Sequence, residues 1–153
     1  FSKSALESLD RLILTIIFNR KKPLVVLSSN WRKNLSVEEL RIMFKQHNFS
    51  KYIVDKTPDT VNESEALDTR GNQIDYWLTD NRAKYNLTDF VALDDNDDGV
   101  SQVFAWYRRE NRFIFCQRNF GMPECKKAMS VLGLSEIPQE PFENKHSSVK
   151  NTA

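Results

Sequence analysis

The chain has 153 residues, enough for one domain with a real core and too few for two ordinary ones. With 40% hydrophobic and 28% charged residues it has the balance of a globular protein, which excludes wholesale disorder. A formal net charge of +1 gives no overall electrostatic pull toward nucleic acid or an anionic membrane. Cys116 and Cys125 are too few for a disulfide framework in a domain that can bury its own core. No apolar stretch is long enough to span a bilayer. Residues 12–18 are broken by Asn19-Arg20-Lys21-Lys22, and no small-residue cleavage site follows. A cytoplasmic setting is therefore expected, with the Asn-X-Ser/Thr triplets at Asn34, Asn48, Asn62 and Asn86 read as chance. The chain begins at Phe1, which is read as the start of a processed or excised piece.

Ser4 is expected to cap a first helix, with Glu7 completing a capping box and Leu6, Leu9, Leu12, Ile13, Ile16 and Ile17 at helical spacing. Pro23 ends it, and residues 23–28 form a continuously apolar run suited to a strand covered on both faces. Ser36 caps a second helix with Glu39 at the capping-box position and Leu40, Met43 and Phe44 inward. Residues 52–54 read as a weak strand, and a polar loop follows to about Thr69. Ile74, Trp77 and Leu78 mark a third helix starting near Arg70. Residues 90–93 form a strand running straight into Asp94-Asp95, residues 112–116 another, and residues 123–132 a last helix opened by proline. The domain is placed at 1–136 and a polar, flexible tail at 137–153. This order argues for a mostly parallel sheet wrapped by helices.

Such sheets collect ligands at the carboxyl ends of their strands, and three features stand there. Ser28-Ser29-Asn30-Trp31-Arg32 directly follows the first strand, where a hydroxyl and backbone amides can donate to a phosphate; the alternative is a serine that merely ends the strand. Arg70-Gly71 opens a helix, and an arginine with a helix N-terminus makes a joint anion site; the alternative is a solvated arginine beside a loop glycine. Asp94-Asp95-Asn96-Asp97-Asp98-Gly99 places four acids at the mouth of a buried strand, and their repulsion is relieved by a cation or by splaying into water. Hard oxygen ligands of this kind suit Mg²⁺. The same run matches the opening of a calcium-binding EF-hand loop, but Ala105 stands where the bidentate glutamate is needed, so that reading is rejected. His47 and His146 have no zinc pattern around them. Trp31, Trp77 and Trp106 can stack on bases, although Trp77 is better placed in the core.

Taken together, the segment around Ser28, Thr57-Pro58, Arg70-Gly71-Asn-Gln-Ile74-x-x-Trp77-Leu78 and Val91-Ala-Leu-Asp94-Asp95 resembles one branch of the haloacid dehalogenase (HAD) superfamily. That branch comprises small HAD-like domains found in, or related to, RNA-repair proteins, and the similarity extends over residues 4–134. The resemblance implies a Rossmann-like three-layer α/β sandwich with a mostly parallel sheet. It implies that Ser28 binds phosphate, that Arg70 steadies the phosphoryl group, and that Asp94, with Asp95 or Asp98, holds Mg²⁺. Ser29, Trp31 and Arg32 are implied on the substrate side. Enzymes of this kind attack phosphate with an aspartate at the end of their first strand and use a second aspartate two residues later as acid and base.

Only Phe1-Ser2-Lys3 precedes the first helix, and no internal Asp-x-Asp substitutes for that motif. In the family its strand lies mid-sheet, between the Ser28 and Asp94 strands. An upstream segment or a second chain is therefore expected to complete the sheet. Residues 116–123, Cys-Gln-Arg-Asn-Phe-Gly-Met-Pro, also depart from the family's acidic residue followed by Gly-Leu-Thr. The expectation is a Mg²⁺-dependent phosphohydrolase domain acting on a phosphate ester. Nucleic-acid ends are the substrate class implied by the resemblance, with no membrane partner, and the chain alone is expected to be inactive. The alternative is a non-catalytic HAD-like interaction domain that lost its nucleophile.

Overall fold

The computed structural model describes residues 2–28, 34–58 and 69–138. Helix α1, Lys3–Phe18, is capped by Ser2, whose hydroxyl accepts from the Ala5 N–H at 3.1 Å. The cap is thus not Ser4. That residue lies inside the helix, where its hydroxyl accepts from Asn119 Nδ2 at 2.7 Å. Strand β1, Val25–Leu27, leads through α2, Val37–Met43, and a 3₁₀ turn to β2, Ile53–Lys56. The α2 capping box forms as expected: Ser36 Oγ accepts from the Glu39 N–H and Glu39 Oε1 from the Ser36 N–H, each at 3.1 Å. Helix α3, Arg70–Asn81, follows, capped by Thr69. Strand β3, Ala92–Asp94, helix α4, Val100–Trp106, a 3₁₀ turn, strand β4, Phe113–Phe115, and helix α5, Met122–Val131, complete the described elements.

Helix α4 has no counterpart in the sequence reading, which joins two strands directly here. Two parallel strands need a crossover, and α4 supplies it, burying Val100, Val103 and Phe104. β3 and β4 pair in parallel through Ala92–Phe113, Leu93–Ile114 and Asp94–Phe115, and β1 and β2 pair in parallel with an irregularity between Val25 and Val26. The expected parallel sheet is therefore present as two separate parallel pairs. Among the described residues β1 pairs only with β2 and β3 only with β4.

Helix α1 packs into the cores of both pairs. Leu12 joins Ile114, Cys116, Cys125, Ala128 and Met129, whereas Ile13 joins Leu40, Phe44, Phe49 and Ile53. Ile16 packs against both groups. Adjacent residues on one helix thus face different cores, as a broad apolar stripe allows. Among the described residues no helix is long and apolar enough to cross a membrane.

Candidate functional site

The third strand delivers Asp94 to its carboxyl end as a buried carboxylate, 8% exposed. Arg70 meets it from the first turn of α3: Nη1 donates to Oδ1 at 2.9 Å and to Oδ2 at 2.8 Å. The approach depends on two glycines. Gly71 lies so close to Gly99 that a Cβ would stand 2.3 Å from the Gly99 carbonyl oxygen, and its N–H donates to the Asp98 carbonyl at 2.9 Å. Gly99 itself has φ +76°, a left-handed conformation that favours glycine. This backbone-to-backbone contact seats the start of α3 on the loop that leads into α4.

Each acid in the loop has its own role. Asp94 Oδ1 also accepts from the Asn96 N–H at 3.1 Å, closing the turn after β3. Asp97 accepts from the Ser101 N–H at 2.7 Å and from the Ser101 hydroxyl, tying down the start of α4. Asp98 Oδ2 accepts from the Arg70 N–H at 3.0 Å. Asp95 is exposed. The expected repulsion is therefore relieved by a guanidinium and by backbone amides. Burial raises the Asp94 carboxyl above its ordinary range, by more than the Arg70 hydrogen bonds and charge lower it.

Arg70 uses only Nη1 for this pair. Its Nε and Nη2 have no partner among the described residues, which leaves three N–H donors in a fixed plane. A magnesium ion fits this arrangement less well. Both Asp94 oxygens face the guanidinium, Asp97 and Asp98 are committed to backbone amides, and no group of three or more metal-ligating side chains gathers among the described residues. As it stands, the site holds an internal ion pair, and the loop acids that a cation would use are bonded to a guanidinium and to backbone amides.

Arg70, Asp94 and Asp98 are thus brought together, with Asp95 at the rim. Ser28 follows β1 directly, half-buried, on the other strand pair. Ser29, Trp31 and Arg32 lie outside the described residues. Thr57, next after β2, donates its N–H to the Leu27 carbonyl at 2.9 Å, so the ends of β1 and β2 stay in step. Trp77 is a core residue, 6% exposed, whose Nε1 donates to Asp55 at 2.8 Å and so links α3 to the β1–β2 pair. His47 makes a structural contact with Asp10, at 2.9 Å. The Gly71–Gly99 approach was not read from the sequence. Its only trace there is the placing of a glycine directly after each of the two charged segments.

Cys116 follows β4, and its N–H donates to the Asp94 carbonyl at 2.7 Å. Burial, reinforced by Glu124, pushes its thiol up to about 11, so it is a neutral core group at ordinary pH.

No curated protein and no solved structure matches the chain. Residues 1–126 match the family described as the HAD domain in Swiss Army Knife RNA repair proteins. That span covers the α1 helix, both parallel pairs and the Arg70–Asp94 site, and the chain belongs to this family of HAD domains.

Proposed function

We propose that this chain is the phosphate-holding body of a HAD-type phosphohydrolase that acts in the cytoplasm on a phosphate ester, with nucleic-acid ends as the substrate class. The observation that carries the reading is Arg70: fixed through Nη1 on a buried carboxylate, it keeps Nε and Nη2 for a phosphoryl oxygen. Ser28, at the carboxyl end of β1, supplies a hydroxyl to the same anion. In this reading a further strand, from a segment preceding residue 1 or from a second chain, pairs between β1 and β3, each of which has one hydrogen-bonded neighbour among the described residues. A carboxylate at its end would attack phosphorus, the ester oxygen would leave with a proton, and water would then cleave the acyl phosphate. Magnesium binding requires Asp94 to exchange Arg70 for the cation, so weak binding to the chain alone is expected. The test is turnover of an aryl phosphate with Mg²⁺, comparing this chain with one extended by an Asp-x-Asp strand. Turnover only in the extended chain is expected. Turnover by this chain alone, lost in Asp94→Asn, would show that the nucleophile lies within it.

The closed Arg70–Asp94 pair favours one second reading, a HAD-like interaction domain without catalysis. Failure of the extended chain to turn over any aryl phosphate would select it.

A further inference from the structure

At the other end of the β3–α4–β4 unit, a second cluster of charge is left open. Helix α4 ends at Trp106, and the backbone closes with Arg108 N–H donating to the Ala105 carbonyl and Arg109 N–H to the Phe104 carbonyl, at 3.0 and 2.7 Å. This double bond pattern needs a left-handed residue, and Arg108 takes that place with φ +56°. Glycine fills the equivalent place at Gly133, after α5. Arg20 fills it after α1, so a cation there suits the helix dipole, but a branched side chain still strains the backbone relative to glycine. The Arg108 side chain has no hydrogen bond or ion pair among the described residues.

It lines a cavity of about 510 Å³ with Tyr107, Arg109, Asn111, Arg112 and Thr88. Asp89 is the acid in that wall, and it pairs with Arg112 at 3.2 Å. Arg109 lies over the Phe90 ring, 5.6 Å from its centre. The wall therefore carries an excess of positive charge, although the chain as a whole has almost none. Beside it stand two exposed rings, Trp106 at 77% and Tyr107 at 58%. Trp106 also forms the wall of a small groove with Thr69, Asn72 and Gly99, next to Arg70.

We infer that residues 106–112 form a binding surface for single-stranded nucleic acid, with phosphates in the arginine cavity and bases stacked on Trp106 and Tyr107. Charge complementarity selects a polyanion. The exposed rings select unpaired bases, because stacking platforms need open base faces. The Trp106 groove is lined by α4 residues Gln102 and Val103 and by Thr69, the residue before Arg70. This assignment rests on the reading of nucleic-acid ends and deepens it, but stands on residues that take no part in the proposed chemistry.

The test is anisotropy of a fluorescein-labelled oligouridylate with hydroxyl ends, against a salt series, beside a duplex of the same length. Because that probe carries no terminal phosphate, failure of the phosphatase assay leaves this measurement untouched. Trp106→Ala and Arg108→Gly are each expected to weaken binding roughly tenfold. Arg108→Gly should also lower the salt slope by roughly 0.7 while raising the melting temperature, since glycine relieves the left-handed backbone. Opposite signs for binding and stability are what a merely structural arginine would not give. Binding unchanged in both variants, duplex bound as tightly as single strand, or an Arg108→Gly variant that is less stable as well as weaker would each overturn the assignment.

Discussion

The two ends of the β3–α4–β4 unit spend their charge in opposite ways. At the carboxyl end, Arg70 closes on Asp94 and Asp98, and Asp97 is bonded to the start of α4. At the amino end, Arg108 is open to solvent and strained, and Asp89 answers only one of the three arginines beside it. The closed end shows what buried charge requires, which is a partner within hydrogen-bond reach. The open end shows charge held in reserve.

The largest effect that would break this contrast is removal of Arg70. Arg70→Met should destabilise the domain by about 4 kcal/mol, because it strands a buried carboxylate. The loss should shrink as pH falls from neutral. Burial already raises the Asp94 carboxyl, the folded state therefore holds its proton more tightly than the unfolded chain, and stability is gained as that proton binds. Urea melts at neutral and mildly acidic pH measure both. A variant equally stable at both would mean that the pair is not closed.

Gly71→Ala comes next, at about 3 kcal/mol, since the added methyl meets the Gly99 backbone and that backbone cannot swing aside as a side chain would. Its melt should show a loss close to that of Arg70→Met, and the double variant should lose less than the sum, because both act on one contact. Full additivity would separate the glycine contact from the ion pair.

The smallest effect concerns Cys116, under the closed end. With its thiol pushed up to about 11, it should resist alkylation in the native protein at neutral pH and react only on unfolding. Above the ordinary thiol range, stability should fall as pH rises toward that value, because the folded state keeps the proton that the unfolded state releases. Rapid labelling of the native protein would place Cys116 at the surface.

Local signals in the sequence proved reliable where the partner lay within one turn. The Ser36–Glu39 capping box is such a case, and so is the helix opening at Arg70, since both depend on neighbours three or four residues away. The α1 cap lies at Ser2, and both Ser2 and Ser4 bond Asn119, a distant partner that no local pattern reveals. Helix α4 was hidden because its signal is only Val100, Val103 and Phe104, placed directly after an acidic run that reads as a loop. The acids themselves were legible as a cluster but not by role. Whether an aspartate closes a turn, caps a helix or meets an arginine depends on backbone angles and on a residue more than twenty positions away. The mixed α/β class with parallel strands was thus readable, and the pairing of Arg70 with Asp94 was not.

The position of α1 across both cores has a consequence for motion. Leu12 and Ile13 are anchored in different halves, so the helix can leave one core only by withdrawing from the other. Helix α3 is a second bridge, seated on the loop that leads into α4 and bonded through Trp77 to Asp55 of β2. Helices α1 and α3 therefore tie the two halves together, so that opening one half pulls on helices that the other half still holds.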